Sequence, residues 1–212
     1  MQTFYQNNNS ENLIVLLNGW GMDEKPFDLL KSDYDILFLS DYTNLDFRFD
    51  FSKYKKKILI AFSAGVYMAA HLKPVLPEFD LKIAINGSLN LFDTKQGVPE
   101  NIRLEMETLT LETAFEFRKK LIHNNNHLAL FNKNQPNRSL ESSLNELSAL
   151  EKYNTCTTFE FDKVIIGEDD EIIPMKNQIG AWSKYKNTHM LFLEGGHFLF
   201  YQFKNFSEII KL

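Results

Sequence analysis

Six short apolar runs constrain the fold of this chain more than any other feature of its sequence. They occupy positions 13–17, 36–39, 58–62, 83–85, 164–166 and 190–193, and each is continuously apolar rather than alternating with polar residues. A strand with one face in water alternates, whereas a strand covered on both faces does not. Helical patterns fit between several of the runs, notably Ala64–Leu72 and the stretch after Pro174. That order predicts an α/β fold: a mostly parallel sheet with flanking helices. With 212 residues, 44% of them hydrophobic, the chain is long enough for one well-buried domain and a small insertion.

The middle of the chain breaks the alternation. Between Ile85 and Val164 no buried strand stands out. Residues 108–121 instead carry Leu109, Leu111, Phe115 and Leu121 at helical spacing, and residues 139–153 carry Leu140, Leu144, Leu147 and Leu150. Asparagine-rich stretches at 124–126 and 134–137 read as breaks between helices. Residues 90–157 are therefore expected to form a small helical lid over a core made of residues 1–89 and 158–212. Open α/β sheets bind ligands at the carboxyl ends of their strands, which is where such a lid would sit.

Charge and composition narrow the partners. A formal charge of −5 gives no whole-surface attraction to nucleic acid or membrane. No apolar run approaches the ~20 residues of a membrane helix, and MQTFYQNNNS at the start lacks the charged and apolar regions of a secretory signal. The single cysteine, Cys156, leaves no internal disulfide and no cysteine-rich zinc pattern. A soluble cytoplasmic protein is expected.

The run at 58–62 passes straight into Ser63-Ala64-Gly65 and then into a helical pattern. A strand entering a helix through x-Ser-x-Gly is the setting of a nucleophile elbow, in which the serine hydroxyl stands clear on a tight turn. Ala61 replaces the usual first glycine. Serine needs a base, and the base needs an acid to hold it. In α/β-hydrolases these partners follow in the order serine, acid, histidine. KVIIGEDDEIIPM offers Glu168, Asp169 and Asp170 as acids, and MLFLEGGHFLFY offers His197 as base. His71 falls late in the helix after Ser63 and His189 precedes its strand, so neither fits the role, while His123 and His127 are four apart but the three asparagines between them argue against a metal-binding helix face. For an oxyanion the backbone N–H of Ala64 is one candidate donor. The second is that of Trp20, in the Asn18-Gly19-Trp20-Gly21 loop after the first buried run. The Trp20 indole, Phe62 and Phe115 are candidates to wall a substrate pocket. No metal or organic cofactor is needed for such chemistry.

With these residues assembled, the sequence resembles the BioG-type pimeloyl-acyl-carrier-protein methyl ester carboxylesterases of biotin synthesis, members of the α/β-hydrolase superfamily. The resemblance rests on Asn18-Gly19-Trp20-Gly21, on SDYTNLDFRFDFSKYKK at 40–56, on Phe62-Ser63-Ala64-Gly65-Val66, and on Asn86-Gly87 followed by Gly97-Val98-Pro99. It implies a Ser63, Asp170, His197 triad, with Asp170 chosen from the three acids by the family pattern. It implies further that the substrate is a pimeloyl methyl ester on acyl carrier protein, with methanol as leaving group. Recognition of that acidic partner calls for basic residues near the pocket mouth. Arg103, Arg118, Lys119, Lys120, Lys133 and Arg138 are the candidates. A general short-chain esterase or thioesterase on the same fold, and a non-catalytic acyl- or partner-binding module, are the alternatives.

Overall fold

The computed structural model describes residues 1–153 and 158–212; Cys156 and the end of the expected insertion lie outside the described residues. Among the described residues, seven strands form one sheet in the order β1-β3-β2-β4-β5-β6-β7. They are β1 (Gln2–Gln6), β2 (Asn12–Leu17), β3 (Asp35–Ser40), β4 (Lys56–Phe62), β5 (Leu81–Ile85), β6 (Lys163–Gly167) and β7 (His189–Leu193). β1 runs antiparallel to β3, and every other pairing is parallel. The six apolar runs all fall inside the parallel strands. β1 was not expected from the sequence, because QTFYQ is short, polar and largely exposed, as an edge strand can be. β7 is the other edge and is only half-covered, with Phe192 43% exposed; its continuous apolar run does not mean burial on both faces.

The chain goes from β2 to β3 on one side and then crosses to β4 on the other side of β2, so the order reverses at that point. Leu17 pairs with Ala61, which brings the carboxyl ends of β2 and β4 level. The loop after β2 and the turn after β4 therefore meet at the switch point, where doubly wound sheets open a crevice. α1 (Ala64–Leu72) follows β4, α6 (Met175–Trp182) follows β6, and α7 (Phe206–Lys211) closes the chain.

Between β3 and β4 an aromatic segment takes the place of a helix. Tyr42 and Tyr54 are buried, and Phe47, Phe49 and Phe51 pack against the core. Tyr54 donates a hydrogen bond to the Asp35 carboxylate at 2.8 Å, and Tyr5 of β1 donates to the same oxygen. The other Asp35 oxygen accepts the backbone N–H groups of Asn8 and Ser10 at 2.8 and 3.1 Å. This one carboxylate ties the outer strand, the loop after it and the aromatic segment together.

Between β5 and β6 lie α2 (Glu100–Glu107), α3 (Ala114–Leu121), α4 (Asn125–Lys133) and α5 (Leu140–Leu150). α5 matches its apolar spacing, and Ser139 caps it by accepting the Ser142 N–H at 3.1 Å. The helix expected over 108–121 begins only at Ala114. Thr110 and Thr113 bond to each other's backbone N–H and hold a turn there, which leaves Leu111 79% exposed. The asparagines at 124–126 start a helix rather than end one. Asn124 is the N-cap of α4, its side chain accepting the N–H groups of Asn126 and His127 at 2.9 and 3.2 Å. Among the described residues no helix is long and apolar enough to cross a membrane.

Candidate active site

The turn after β4 puts Ser63 at φ 54, ψ −118, a left-handed backbone that a side chain rarely adopts and that costs of order 1–3 kcal/mol. It survives because its surroundings leave no alternative. A Cβ on Gly65 would lie 2.2 Å from the Leu17 carbonyl oxygen, and one on Gly87 would lie 2.7 Å from the Ser63 carbonyl oxygen. α1 thus packs onto β2 as closely as backbone allows.

The loop after β7 brings His197 back over this turn. Its Nε2 is 2.8 Å from Ser63 Oγ, and its Nδ1 is 2.8 Å from Asp170 Oδ2 and 3.0 Å from Oδ1. All three residues are buried. Glu168 and Asp169, the competing acids, are exposed; Asp170 alone of the three turns inward. Its Oδ1 also accepts the N–H groups of Ile172 and Ile173, both at 2.9 Å. Its Oδ2 accepts the Gln178 amide at 2.9 Å. A carboxylate held by so many donors has its orientation fixed.

Two positioning residues escaped the sequence reading. Asn86 donates to the carbonyls of Gly196 and His197 at 3.0 and 2.7 Å and accepts the Gly167 N–H at 2.7 Å. It therefore ties the ends of β5, β6 and β7 into one platform. Gln178 on α6 links Asp170 to the Ile173 carbonyl. Asn86 carried a signal in the sequence, as a polar residue directly after a buried run; Gln178 lies on an ordinary amphipathic helix and carried none.

On the other side of Ser63 lies the loop after β2. A Cβ on Gly19 would meet the Phe62 ring at 2.9 Å and the Ser63 Cβ at 3.2 Å, so this backbone touches the turn that carries Ser63. Among the described residues neither the Trp20 nor the Ala64 backbone N–H has a hydrogen-bond acceptor, which leaves both available to a ligand oxygen.

Helices between β5 and β6 close the space over the serine. The chamber at Ser63 and His197 measures about 30 Å³, with Trp20, Phe62, Met106, Phe117 and Leu150 among its walls. That is room for one or two waters. Trp20 and Phe117 meet edge to face at 6.0 Å and separate it from a larger cavity of about 320 Å³. Phe117, Leu121 and Leu109 line the larger space, and the Arg118 and Arg138 side chains contribute to its wall.

The structure departs from one expected pocket residue and one expected carrier-protein contact. Phe115 is 44% exposed and stacks under Lys119 and Arg118; Phe117, two residues on, faces the chamber because α3 begins late. Arg138 is no surface residue: its side chain is 3% exposed and paired with Glu146 at 3.1 Å and Asp41 at 3.4 Å, so it cannot touch a carrier protein. Among the other basic candidates, Arg103 pairs with Glu107, Lys119 with Glu116 and Lys120 with Glu105. Arg118 forms no ion pair among the described residues. His123 precedes the α4 cap while His127 lies inside the helix, so the two share no helix face.

A family model described as pimeloyl-ACP methyl esterase BioG matches residues 1–209. A protein of Bacteroides fragilis named malonyl-[acyl-carrier protein] O-methyltransferase is 34% identical over an alignment of 195 residues that covers 87% of this chain; the chain spans only 39% of that relative's length. The crystal structure of BioG from Haemophilus influenzae superposes with a TM-score of 0.85 at 25% identity, covering 98% of this chain and 99% of that one. A lipase-esterase related protein of Clostridium acetobutylicum gives a TM-score of 0.73 at 16% identity over 99% of this chain and 98% of its own, a likeness of fold.

Proposed function

The chain belongs to the BioG family of pimeloyl-ACP methyl esterases, and from that premise we propose that it hydrolyses the methyl ester of a pimeloyl group carried on acyl carrier protein. The observation that carries the chemistry is the 2.8 Å contact between Ser63 Oγ and His197 Nε2, at a serine on strained backbone with Asp170 behind the imidazole. His197 takes the Ser63 proton as Oγ attacks the ester carbonyl, and Asp170 stabilises the imidazolium that forms. The oxyanion is received by the N–H groups of Trp20 and Ala64; losing one such donor typically costs about 10²–10³ in turnover. Methanol leaves with the proton from His197. Water, deprotonated by the same imidazole, then cleaves the acyl-enzyme and frees the carboxylate.

The larger cavity behind Trp20 and Phe117 is lined mostly by apolar residues, as suits an acyl chain, and Arg118 on its wall has a buried Nε without a hydrogen-bond partner among the described residues. An anionic part of the carrier or its prosthetic arm is a fitting partner for that guanidinium. Arg103, Lys119 and Lys120 are secondary contacts, since each must first release an acid. The Bacteroides fragilis relative is named for methylation on malonyl carrier protein, and an esterase would remove a methyl group of that kind. A chamber of about 30 Å³ also favours a second reading, hydrolysis of small esters, because a small group needs less displacement of the wall.

The test is demethylation of pimeloyl-carrier-protein methyl ester by wild type and by Ser63→Ala, with a short-chain nitrophenyl ester alongside. Cleavage of the carrier-bound ester by wild type alone is the expected outcome. Cleavage of only the small ester selects the second reading, and inactivity of folded wild type on both rejects an esterase altogether.

A further inference from the structure

Glu146 lies on α5 with no exposed surface, and nothing in the chemistry above uses it. Burial pushes its carboxyl pKa up, against the attraction of Arg138. A buried charge of this sort is costly unless its partners repay desolvation, and Glu146 has three among the described residues. One is Arg138, at 3.1 Å. The other two are backbone N–H groups of the core: Gly21, which donates to Oε2 at 2.9 Å, and Tyr42, which donates to Oε1 at 3.0 Å.

Gly21 directly follows Trp20. One turn earlier on α5, Ser143 accepts the Trp20 indole N–H through its carbonyl, and a Cβ on Gly21 would meet the Ser143 hydroxyl at 3.2 Å. The loop is thus pressed between two surfaces. Gly19 abuts Phe62 and Ser63 on one side, and Gly21 abuts α5 on the other. Tyr42 adds a third tie, since its hydroxyl donates to the Asn18 carbonyl at 2.9 Å while its own N–H is held by Glu146. Fixing the Gly21 N–H and the Trp20 indole leaves the Gly19–Trp20 peptide little freedom to rotate. That peptide carries the N–H group offered to the oxyanion.

We propose that Glu146 is a positioning residue for the oxyanion hole, holding the loop after β2 against the nucleophile turn so that the hole is in register only while α5 is seated. The inference rests on the reading of Ser63 as nucleophile and of the Trp20 N–H as donor. The lid is then part of the reaction site and not merely its cover.

The experiment compares wild type, Glu146→Gln and the double variant Glu146→Met with Arg138→Met. The double variant replaces the buried pair by apolar side chains of similar length, an exchange that is often neutral or stabilising, and it leaves the Gly21 and Tyr42 N–H groups without their acceptor and Asp41 without its cation. Each folded protein is assayed for kcat and KM on a nitrophenyl ester and for affinity towards an alkyl boronic acid, whose tetrahedral adduct with serine presents an oxygen to the hole. In the double variant kcat is expected to fall by about 10–100-fold with KM little changed, and boronate affinity to fall by a similar factor; Glu146→Gln is expected to fall between it and wild type. A folded double variant with kcat within twofold of wild type overturns the proposal, as does a fall in kcat that leaves boronate affinity intact. If the double variant does not fold, Glu146→Gln decides by the same two readings. Inactivity of wild type itself on every ester rejects the underlying reading instead, so the two failures are distinguishable.

Discussion

In the proposed mechanism Ser63 is presented to substrate by a backbone conformation that most residues avoid, and His197 and Asp170 behind it determine whether that cost is useful. His197 needs its Nδ1 proton held towards Asp170, so that Nε2 is free to accept from the serine. Replacing Asp170 with asparagine keeps the volume but offers an amide where a carboxylate belongs. The expected loss is about 10³–10⁴ in kcat, by analogy with the same exchange in serine proteases, read on a nitrophenyl ester with the melting temperature as a check on folding. Asp169→Asn is the matched control, expected to leave turnover as it is, because that side chain faces solvent. Residue chemistry alone leaves Glu168, Asp169 and Asp170 open, and only the family resemblance selects Asp170. What separates them is the turn after β6, where the Ile172 and Ile173 N–H groups both point at Asp170 Oδ1, and no spacing rule reports that.

At the scale of elements, the close contact of α1 with β2 is the condition on which the site depends. Gly65→Ala would drive a methyl group into the Leu17 carbonyl, 2.2 Å away, and only a shift of the helix or the strand relieves it. Overpacking of this kind costs about 1–3 kcal/mol, or roughly 2–12 °C in a domain of this size. Gly180→Ala on α6 has its nearest contact at 3.8 Å and is expected to melt with wild type; thermal scans of the two variants side by side check the pair. The sheet was legible in the sequence because burial on both faces writes itself as unbroken apolar runs. The helices between β5 and β6 were less so. ENIRLEME of α2 buries only Ile102 and Met106, too few to mark a period, and the asparagines before α4 act as a cap where composition alone suggests a break. Phe115 and Phe117 sit two positions apart, and a late helix start decided which faces the chamber.

For the molecule as a whole, Asp35 is the knot at the far edge of the sheet. Burial opposes its charge, but hydrogen bonds from Tyr5, Ser10, Asn8 and Tyr54 outweigh it and hold its pKa below the ordinary 3.8. A carboxyl whose pKa is lower when folded adds stability above its unfolded pKa and loses it as pH falls through the folded value. Asp35→Asn should therefore melt below wild type at neutral pH, and the gap should narrow as pH falls below 3.8, as thermal scans across acid pH would record; a gap independent of pH would mean that the charge contributes nothing. Turnover at neutral pH should be spared, since this edge is remote from Ser63. The chamber of about 30 Å³ bears on the last step of the proposed cycle. An acyl group on the serine takes up part of that space, so the water that completes the reaction enters where the alcohol has left. Alcohol and water then queue for a single berth, so partitioning between hydrolysis and the return of the ester is governed by occupancy of that berth rather than by bulk solvent.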